Sequence, residues 1–158
     1  MSIRHALLAA GIAVVCATPA LALEAKKQVK VDASPDEAWA AIGEFCDISA
    51  WHPAVEKCEL SETDGKTIRT LSLKGGGTIV EEEVSRDDAA HSYTYAILES
   101  PLPVESYQST IHVVEDGGTV IAWEGTFDAK GAPDAEAVAV IEGIYQGGLD
   151  SLAKKAGG

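Results

Sequence analysis

The chain has 158 residues and a formal net charge of −13, with 25 acidic against 12 basic side chains. Such a surface repels phosphate backbones and anionic headgroups, so the composition argues against nucleic-acid binding and against docking onto anionic lipid. The length suits one domain with a sizeable hydrophobic core.

The first element along the chain is an export signal over residues 1–22. Arg4 precedes an apolar run over residues 6–17, and residues 20–22 supply the small-x-small pattern of a cleavage site. The run is shorter than the roughly 20 residues that span a bilayer; a retained anchor is the alternative. Cleavage would leave residues 23–158 as a single periplasmic domain without a membrane span. Loss of Arg4 makes the net charge one unit more negative.

The mature chain opens with a strand and a helix. Residues 28–33 alternate between polar and apolar side chains, which is typical of a half-buried strand. Ser34 then offers an N-cap hydroxyl, Pro35 fits the first helical turn and Glu37 completes a capping box. These residues predict a helix from Pro35 to about Phe45.

Two cysteines, Cys46 and Cys58, bracket a short helical turn that Asp47 caps and Pro53 closes. They are the only cysteines left after export, and an oxidising compartment favours their disulfide. Closing a loop of this size stabilises a fold by about 3 kcal/mol. Two buried free thiols are the alternative, and the spacing is unlike a Cys-x-x-Cys redox motif. The sequence predicts a disulfide-bonded corner at the mouth of a cavity.

Six strand-like runs follow, separated by turns rich in Gly, Pro and Asp. Most of these turns are short, which predicts an antiparallel meander. The predicted strands are Val55–Leu60, Thr67–Leu73, Thr78–Ser85, Ser92–Leu98, Glu105–Val114 and Thr119–Phe127.

A long helix from Pro133 or Asp134 to Lys155 ends the chain. Its interior glycines each cost about 1 kcal/mol relative to alanine, and they indicate a close backbone approach or an open volume beneath. This helix is the only element long enough to cover the concave face of a curved sheet. The element order therefore predicts an α+β fold that encloses an apolar space. Its apolar stripe is Val138, Ile141, Tyr145, Leu149 and Leu152, and its glycines are Gly143, Gly147 and Gly148.

Four segments carry a family resemblance: Trp51-His52-Pro53, the triple-glycine turn before residues 78–82, residues 99–103 and residues 123–127. Together with the element order, they resemble the START-like (SRPBCC) superfamily of polyketide cyclases/dehydrases, birch-pollen-type allergens and plant abscisic-acid receptors. Within it the chain is similar to an exported bacterial branch that includes a periplasmic accessory protein of methanol oxidation.

The resemblance implies a helix-grip fold, in which a seven-stranded sheet wraps around the C-terminal helix and the cavity holds an apolar small molecule. It also implies two gate loops over that cavity. Prolines replace the latch residues of the plant receptors, so hormone binding is not carried over. The gate loops are Lys74, Gly75, Gly76 and Gly77, and Pro101, Leu102 and Pro103.

Polar candidates for the cavity lie at its mouth and on two strands. Trp51 and His52 would form the entrance, or a packed turn. Arg69 shares a strand face with Leu71 and Leu73, so its guanidinium is a candidate for a ligand carboxylate; a paired strand residue is the alternative.

Glu81 and Glu82 compete for the inward position on the following strand. Simple alternation places Glu82 inward with Val80 and Val84. The resemblance instead places Glu81 inward, facing Arg69, and we adopt that interpretation. A solvated acidic face is the alternative.

Aromatic residues on three further strands and on the C-terminal helix are candidates for the cavity wall or for ordinary core. His91 and His112 are isolated, no nucleophile motif is present, and the triple glycine lacks a following Lys-Ser/Thr. The sequence thus predicts neither a metal nor another cofactor. The aromatic ligand-binding candidates are Tyr95, Tyr107, Trp123 and Tyr145.

The function predicted from these features is non-enzymatic binding of a small apolar or amphipathic molecule in the periplasm. By family analogy, a periplasmic oxidoreductase or cytochrome is a candidate protein partner. One alternative is a cyclase- or dehydratase-like enzyme that uses an Arg–Glu or His pair for proton transfer. The other is a protein-interaction module with a packed core and no cavity.

Overall fold

The computed structural model describes residues 21–157, so the predicted export signal lies almost wholly outside the described residues. These residues form seven strands and three helices. In chain order they are β1 (Leu23–Val31), α1 (Pro35–Ile42), α2 (Ile48–Trp51), β2 (Val55–Thr63), β3 (Lys66–Leu73), β4 (Thr78–Asp87), β5 (Ser92–Glu99), β6 (Val104–Glu115), β7 (Thr119–Ala129) and α3 (Asp134–Lys155).

The strands form one antiparallel sheet in the order β1-β7-β6-β5-β4-β3-β2. Strands β2 to β7 each pair with the next strand in the chain, which confirms the meander that the short turns predict. β1 begins at Leu23 rather than at Gln28, because its pairing with β7 runs from Leu23 opposite Phe127 to Val31 opposite Thr119.

Helix α1 is capped as its sequence predicts. The Ser34 side chain accepts from the backbone N–H of Glu37, and the Glu37 carboxylate accepts from the Ser34 N–H at 2.9 Å. The helix ends at Ile42 rather than at Phe45. Gly43 donates its N–H to the Trp39 carbonyl at 3.0 Å as the last helical hydrogen bond, and its positive φ of 72° then ends the helix.

Helix α3 covers the concave face of the sheet, and this confirms the predicted α+β helix-grip architecture. Ile141, Tyr145, Leu149 and Leu152 from its apolar stripe are buried, while Val138 is half-buried. Among the helices of residues 21–157, none combines the length and the apolar character that a membrane span requires.

Strand β4 pairs with β3 in unbroken register, so Glu81 and Glu83 share the inner face with Ile79 by ordinary alternation. Beyond Glu83, its pairing with β5 shifts register before Ser85, so that Val84 bulges and is 46% exposed. The alternation that turns Glu82 inward fails because it counts Val84, which does not face the core, as an inward residue.

Candidate functional site

A cavity of about 280 Å³ lies between the inner face of the sheet and α3. Apolar side chains form most of its wall, and Glu81 is the one carboxylate among the residues that line it. Of the predicted site residues, the cavity is lined by His52, Glu81, Tyr95, Leu102, Tyr107 and Trp123. The inner strand faces and α3 add Leu71, Leu73, Ile79, Ile97 and Ile141.

Ten wall residues were absent from the predicted site. They are the five just named from the inner strand faces and α3, and also Ile48, Ala54, Val55, Val140 and Ile144. Ile48 belongs to α2, and Ala54 and Val55 lie where the chain enters β2. Val140 and Ile144 lie one helical turn apart on α3, beside the predicted stripe. A wider apolar face on α3, which includes the positions one before and three after Ile141, was the available sequence signal for the last two.

Arg69 and Glu81 form a buried ion pair across β3 and β4. They are directly opposite in the strand register, and Arg69 Nε donates to Glu81 Oε2 at 2.5 Å. Arg69 has no exposed surface, whereas Glu81 is 4% exposed and contributes to the cavity wall. The guanidinium thus lies behind the carboxylate. This differs from the prediction that Arg69 reaches into the cavity to hold a ligand carboxylate.

The surroundings of Arg69 keep it charged. Its Nη1 donates to the carbonyl of Phe45, and the guanidinium carbon lies 3.9 Å from the centre of the Phe45 ring and 5.0 Å from that of Tyr95. Burial is the largest single effect and would lower the pKa of Arg69, but the Glu81 carboxylate together with Tyr93 and Tyr95 outweighs it and raises that pKa above its ordinary value. The pair also ties the loop after α1 to the sheet.

Buried hydroxyls and one indole form a hydrogen-bonded chain at the floor of the cavity. Trp123 Nε1 donates to Tyr95 Oη at 3.1 Å, Tyr95 and Tyr107 lie 3.2 Å apart, and Tyr107 and Tyr145 lie 2.5 Å apart. Ser109 contacts Tyr145 at 2.8 Å and donates to the Glu124 carbonyl at 2.8 Å.

Burial keeps these phenols protonated. It raises the pKa of Tyr145 to about 12 and raises those of Tyr95 and Tyr107 well above 10. Tyr145 stacks on Trp123 with ring centres 4.7 Å apart and does not line the cavity. Its role in the structure is to support the wall from behind.

His52 lines the cavity with both ring nitrogens engaged. Its Nδ1 accepts from the Ala54 N–H at 3.2 Å, so the proton lies on Nε2, which donates to the Ile144 carbonyl at 3.1 Å. Burial lowers the pKa of His52, against the opposing effect of the bond to Ile144. The ring therefore joins the end of α2 to α3 as a neutral imidazole.

Trp51 lies behind the wall rather than at the entrance. It is 4% exposed, and its Nε1 donates to the Ile42 carbonyl at 2.9 Å. Its ring meets Trp123 edge-on at 5.8 Å between centres. These contacts match the packed-turn alternative.

The two predicted gate loops lie side by side at one end of the cavity. A Cβ atom placed on Gly77 would lie 3.6 Å from Cγ of Pro101. The first loop is also joined to the chain entering β2, because the Lys74 N–H donates to the Ala54 carbonyl at 3.0 Å. Of the seven predicted gate residues, Leu102 is the one that lines the cavity.

Cys46 and Cys58 are joined in the predicted disulfide, with Cα atoms 5.5 Å apart. The disulfide attaches the loop between α1 and α2 to the edge strand β2. Ile48, which lines the cavity, begins α2 two residues after Cys46. The bond therefore fixes one side of the cavity wall.

Within residues 21–157, no group of three or more His, Cys, Asp or Glu side chains is arranged to hold a metal ion. The hydroxyl chain, His52 and the Arg69–Glu81 pair are hydrogen-bonded, whereas Nη2 of Arg69 has no partner among the described residues. The arrangement can enclose an apolar molecule and present one carboxylate to it.

Comparison with known proteins agrees with this geometry. XoxI from Bacillus cereus is 33% identical, with a TM-score of 0.78 over 83% of this chain and 93% of that one. A putative uncharacterized protein from Bacillus thuringiensis is 32% identical, with a TM-score of 0.78 over 84% and 97% of the two chains.

An aromatase/cyclase from Streptomyces sp. R1128 shares the fold at 20% identity, with a TM-score of 0.70 over 86% of this chain and 94% of that one. No curated protein gives a significant match to the chain. Residues 22–157 match the model of the family described as polyketide cyclase / dehydrase and lipid transport. The chain is a member of this family, within the START-like superfamily.

Proposed function

We propose that this protein is an exported, non-enzymatic carrier of a small apolar or amphipathic molecule. The observation that carries the proposal is the cavity of about 280 Å³, which is lined almost entirely by apolar side chains and bounded by α3. Ligand sites are typically concave and apolar with a few oriented polar groups. A volume at the lower end of the usual range favours a ligand smaller than a typical drug molecule.

The hydrogen bonds that the polar wall residues already make favour a carrier over an enzyme. Both nitrogens of His52 are used in backbone hydrogen bonds, and the carboxylate of Glu81 is paired with Arg69. Proton transfer to a substrate needs a group that can exchange its proton within reach of the reacting atom.

The second candidate is a cyclase- or dehydratase-like enzyme, favoured by the carboxylate and the tyrosines beside the same cavity. It requires turnover of a polyketide-like substrate, which a carrier returns unchanged. The third alternative, an interaction module with a packed core, does not account for the cavity.

Export to the periplasm is part of the proposal. The Cys46–Cys58 disulfide suits an oxidising compartment, and residues 1–22 have the pattern of a cleaved signal. By family analogy and from the acidic charge, we further propose an accessory role in a periplasmic oxidation system, with a basic face on an oxidoreductase or cytochrome as the docking partner.

The first test is native mass spectrometry of protein purified from its own periplasm. We expect a chain that begins near Leu23, with a bound small molecule that is released on denaturation. A chain that retains residues 1–22 would contradict the export proposal.

Val140→Trp tests whether the cavity is the binding site, since a large ring at this wall position fills it. Ala139→Trp is the matched control, because Ala139 is exposed on α3 and does not line the cavity. We expect native mass spectrometry to detect the bound small molecule in Ala139→Trp and not in Val140→Trp. Equal occupancy of the two variants, or an empty wild-type protein that also fails to bind naphthalene-sized probes, would contradict the carrier function.

A further inference from the structure

The hydroxyl chain at the cavity floor has a single possible proton direction. Ser109 has one hydroxyl proton, which it donates in the hydrogen bond to the Glu124 carbonyl. Its oxygen therefore accepts the hydrogen bond that joins it to Tyr145. Tyr145 therefore accepts from Tyr107, which in turn accepts from Tyr95. Tyr95 accepts a hydrogen bond from the indole N–H of Trp123, which is the first donor of this hydrogen-bonded series.

This direction removes the hydrogen-bond donors from the cavity wall. Each donor proton is already in a hydrogen bond within the hydroxyl chain, for Tyr95, Tyr107 and Trp123 alike. The Nε2 proton of His52 is donated to the Ile144 carbonyl. The side chains of the wall thus keep lone pairs for a ligand and have no free N–H or O–H to offer it.

The strongest acceptor that remains is Glu81. The one hydrogen bond that the Glu81 carboxylate accepts within residues 21–157 comes from Arg69 and engages Oε2, which leaves Oε1 available. Glu81 lines the cavity, and its side chain retains 6% exposure. Because Arg69 already balances the charge of this carboxylate, a cationic ligand would bring a net charge into an apolar enclosure, which is costly. An anionic ligand would meet this carboxylate first, because Arg69, whose Nη2 has no hydrogen-bond partner in the described part of the chain, lies behind it and does not line the cavity.

From these contacts we infer that the cavity selects apolar molecules that carry a neutral hydrogen-bond donor, a hydroxyl or an N–H, which donates to Glu81 Oε1. Ketones, ethers and carboxylates of the same size are disfavoured, because the wall has no donor to satisfy them. The inference rests on the proposed carrier function and names the chemical class of its ligand.

Four matched probes test the inference by isothermal titration calorimetry on the mature protein. They share one ring system and differ in the head: 2-naphthol, 2-methoxynaphthalene, 2-naphthoate and 2-naphthylmethylammonium. We expect 2-naphthol to bind at least about tenfold tighter than 2-methoxynaphthalene, since a hydrogen bond to a charged acceptor is among the stronger ones. The two charged probes should bind more weakly than 2-naphthol.

The possible outcomes distinguish a wrong ligand class from a wrong carrier function. The inference that the ligand carries a neutral hydrogen-bond donor is overturned by equal affinity for 2-naphthol and 2-methoxynaphthalene, or by tightest binding of either charged probe. Either result leaves the carrier function standing. Failure of all four probes, together with an empty protein from the periplasm, overturns the carrier function itself.

A double variant assigns the selectivity to the ion pair. Glu81→Gln alone would leave Arg69 buried without its partner and endanger folding, so Arg69→Met combined with Glu81→Leu replaces both charges with apolar groups of similar size. This variant should bind 2-naphthol and 2-methoxynaphthalene equally. Glu82→Gln is the control: Glu82 faces outward and pairs with Lys66 at 2.9 Å, so the preference for 2-naphthol should persist. A preference that survives the double variant overturns the assignment to Glu81.

Discussion

His52 has a structural role that its position before a proline does not reveal. Its two backbone hydrogen bonds, to Ala54 and Ile144, are compatible with one neutral tautomer only. A second proton on Nδ1 would break the bond from the Ala54 N–H. The junction between α2 and α3 is therefore sensitive to protonation of this ring.

Stability should fall in mild acid because of His52. Burial lowers its pKa in the folded protein below the ordinary 6.5, so the unfolded chain takes up the proton more readily. The stabilisation is complete above pH 6.5 and is lost as the pH falls below that value. Urea unfolding at pH 7.5, 6.5 and 5.5 should show a steeper loss of unfolding free energy in wild type than in His52→Gln, whose amide does not titrate.

Burial raises the pKa of Glu83, which gives the opposite pH dependence. Glu83 is present in both proteins, so its effect cancels in the difference between them. Parallel pH profiles for the two proteins would contradict the role of His52.

At the scale of the element, α3 shows two distinct uses of glycine. A Cβ atom on Gly148 would lie 2.7 Å from Cζ3 of Trp123 and 2.8 Å from Cδ2 of His52, so this glycine permits the close approach of helix and aromatic wall. A Cβ atom on Gly143 would meet no atom within 4 Å. The interpretation of the glycines as positions of close approach thus applies to Gly148 and not to Gly143.

The two glycines should respond to alanine in opposite directions. Gly148→Ala should lower the unfolding free energy by about 1–3 kcal/mol, because the packed neighbours must shift. Gly143→Ala should raise it by up to about 1 kcal/mol, because an exposed helix interior favours alanine. Chemical denaturation of both variants measures this, and equal effects would refute the difference in packing.

At the scale of the whole molecule, the disulfide and the Arg69–Glu81 pair act on the same loop. Cys46 joins the loop after α1 to the edge strand β2, while Arg69 holds the carbonyl of Phe45, the preceding residue. This loop leads directly into Ile48 and the cavity wall. One covalent bond and one charged hydrogen bond thus position the mouth of the cavity relative to the sheet.

Reduction of the disulfide should lower the unfolding free energy by about 3 kcal/mol, since the bond closes a short loop in the unfolded chain. Urea unfolding with and without a phosphine reductant measures the loss. The double variant Cys46→Ser with Cys58→Ser should match the reduced wild type and should not respond to the reductant. No change on reduction of the wild type would contradict a stabilising role for the bond.

The sequence alone determined the order of the elements, the α+β architecture and the pairing of the cysteines. These features follow from local signals: the Ser34 cap, the turn residues, the apolar stripe of α3 and the count of cysteines. Each depends on residues close together in the chain or on composition, so no knowledge of the tertiary contacts is needed to predict them.

Only the tertiary structure decided which side chains reach the cavity. Arg69 and Tyr145 belong to inward faces by their periodicity and Trp51 was predicted at the entrance, yet each lies behind a neighbour that forms the wall. The bulge at Val84 and the register that sets Arg69 opposite Glu81 arise from strand pairing, which alternation along one strand does not encode. The proton direction from Trp123 to Ser109 likewise depends on contacts between four separate elements, because a hydroxyl takes its direction from the partners that folding supplies.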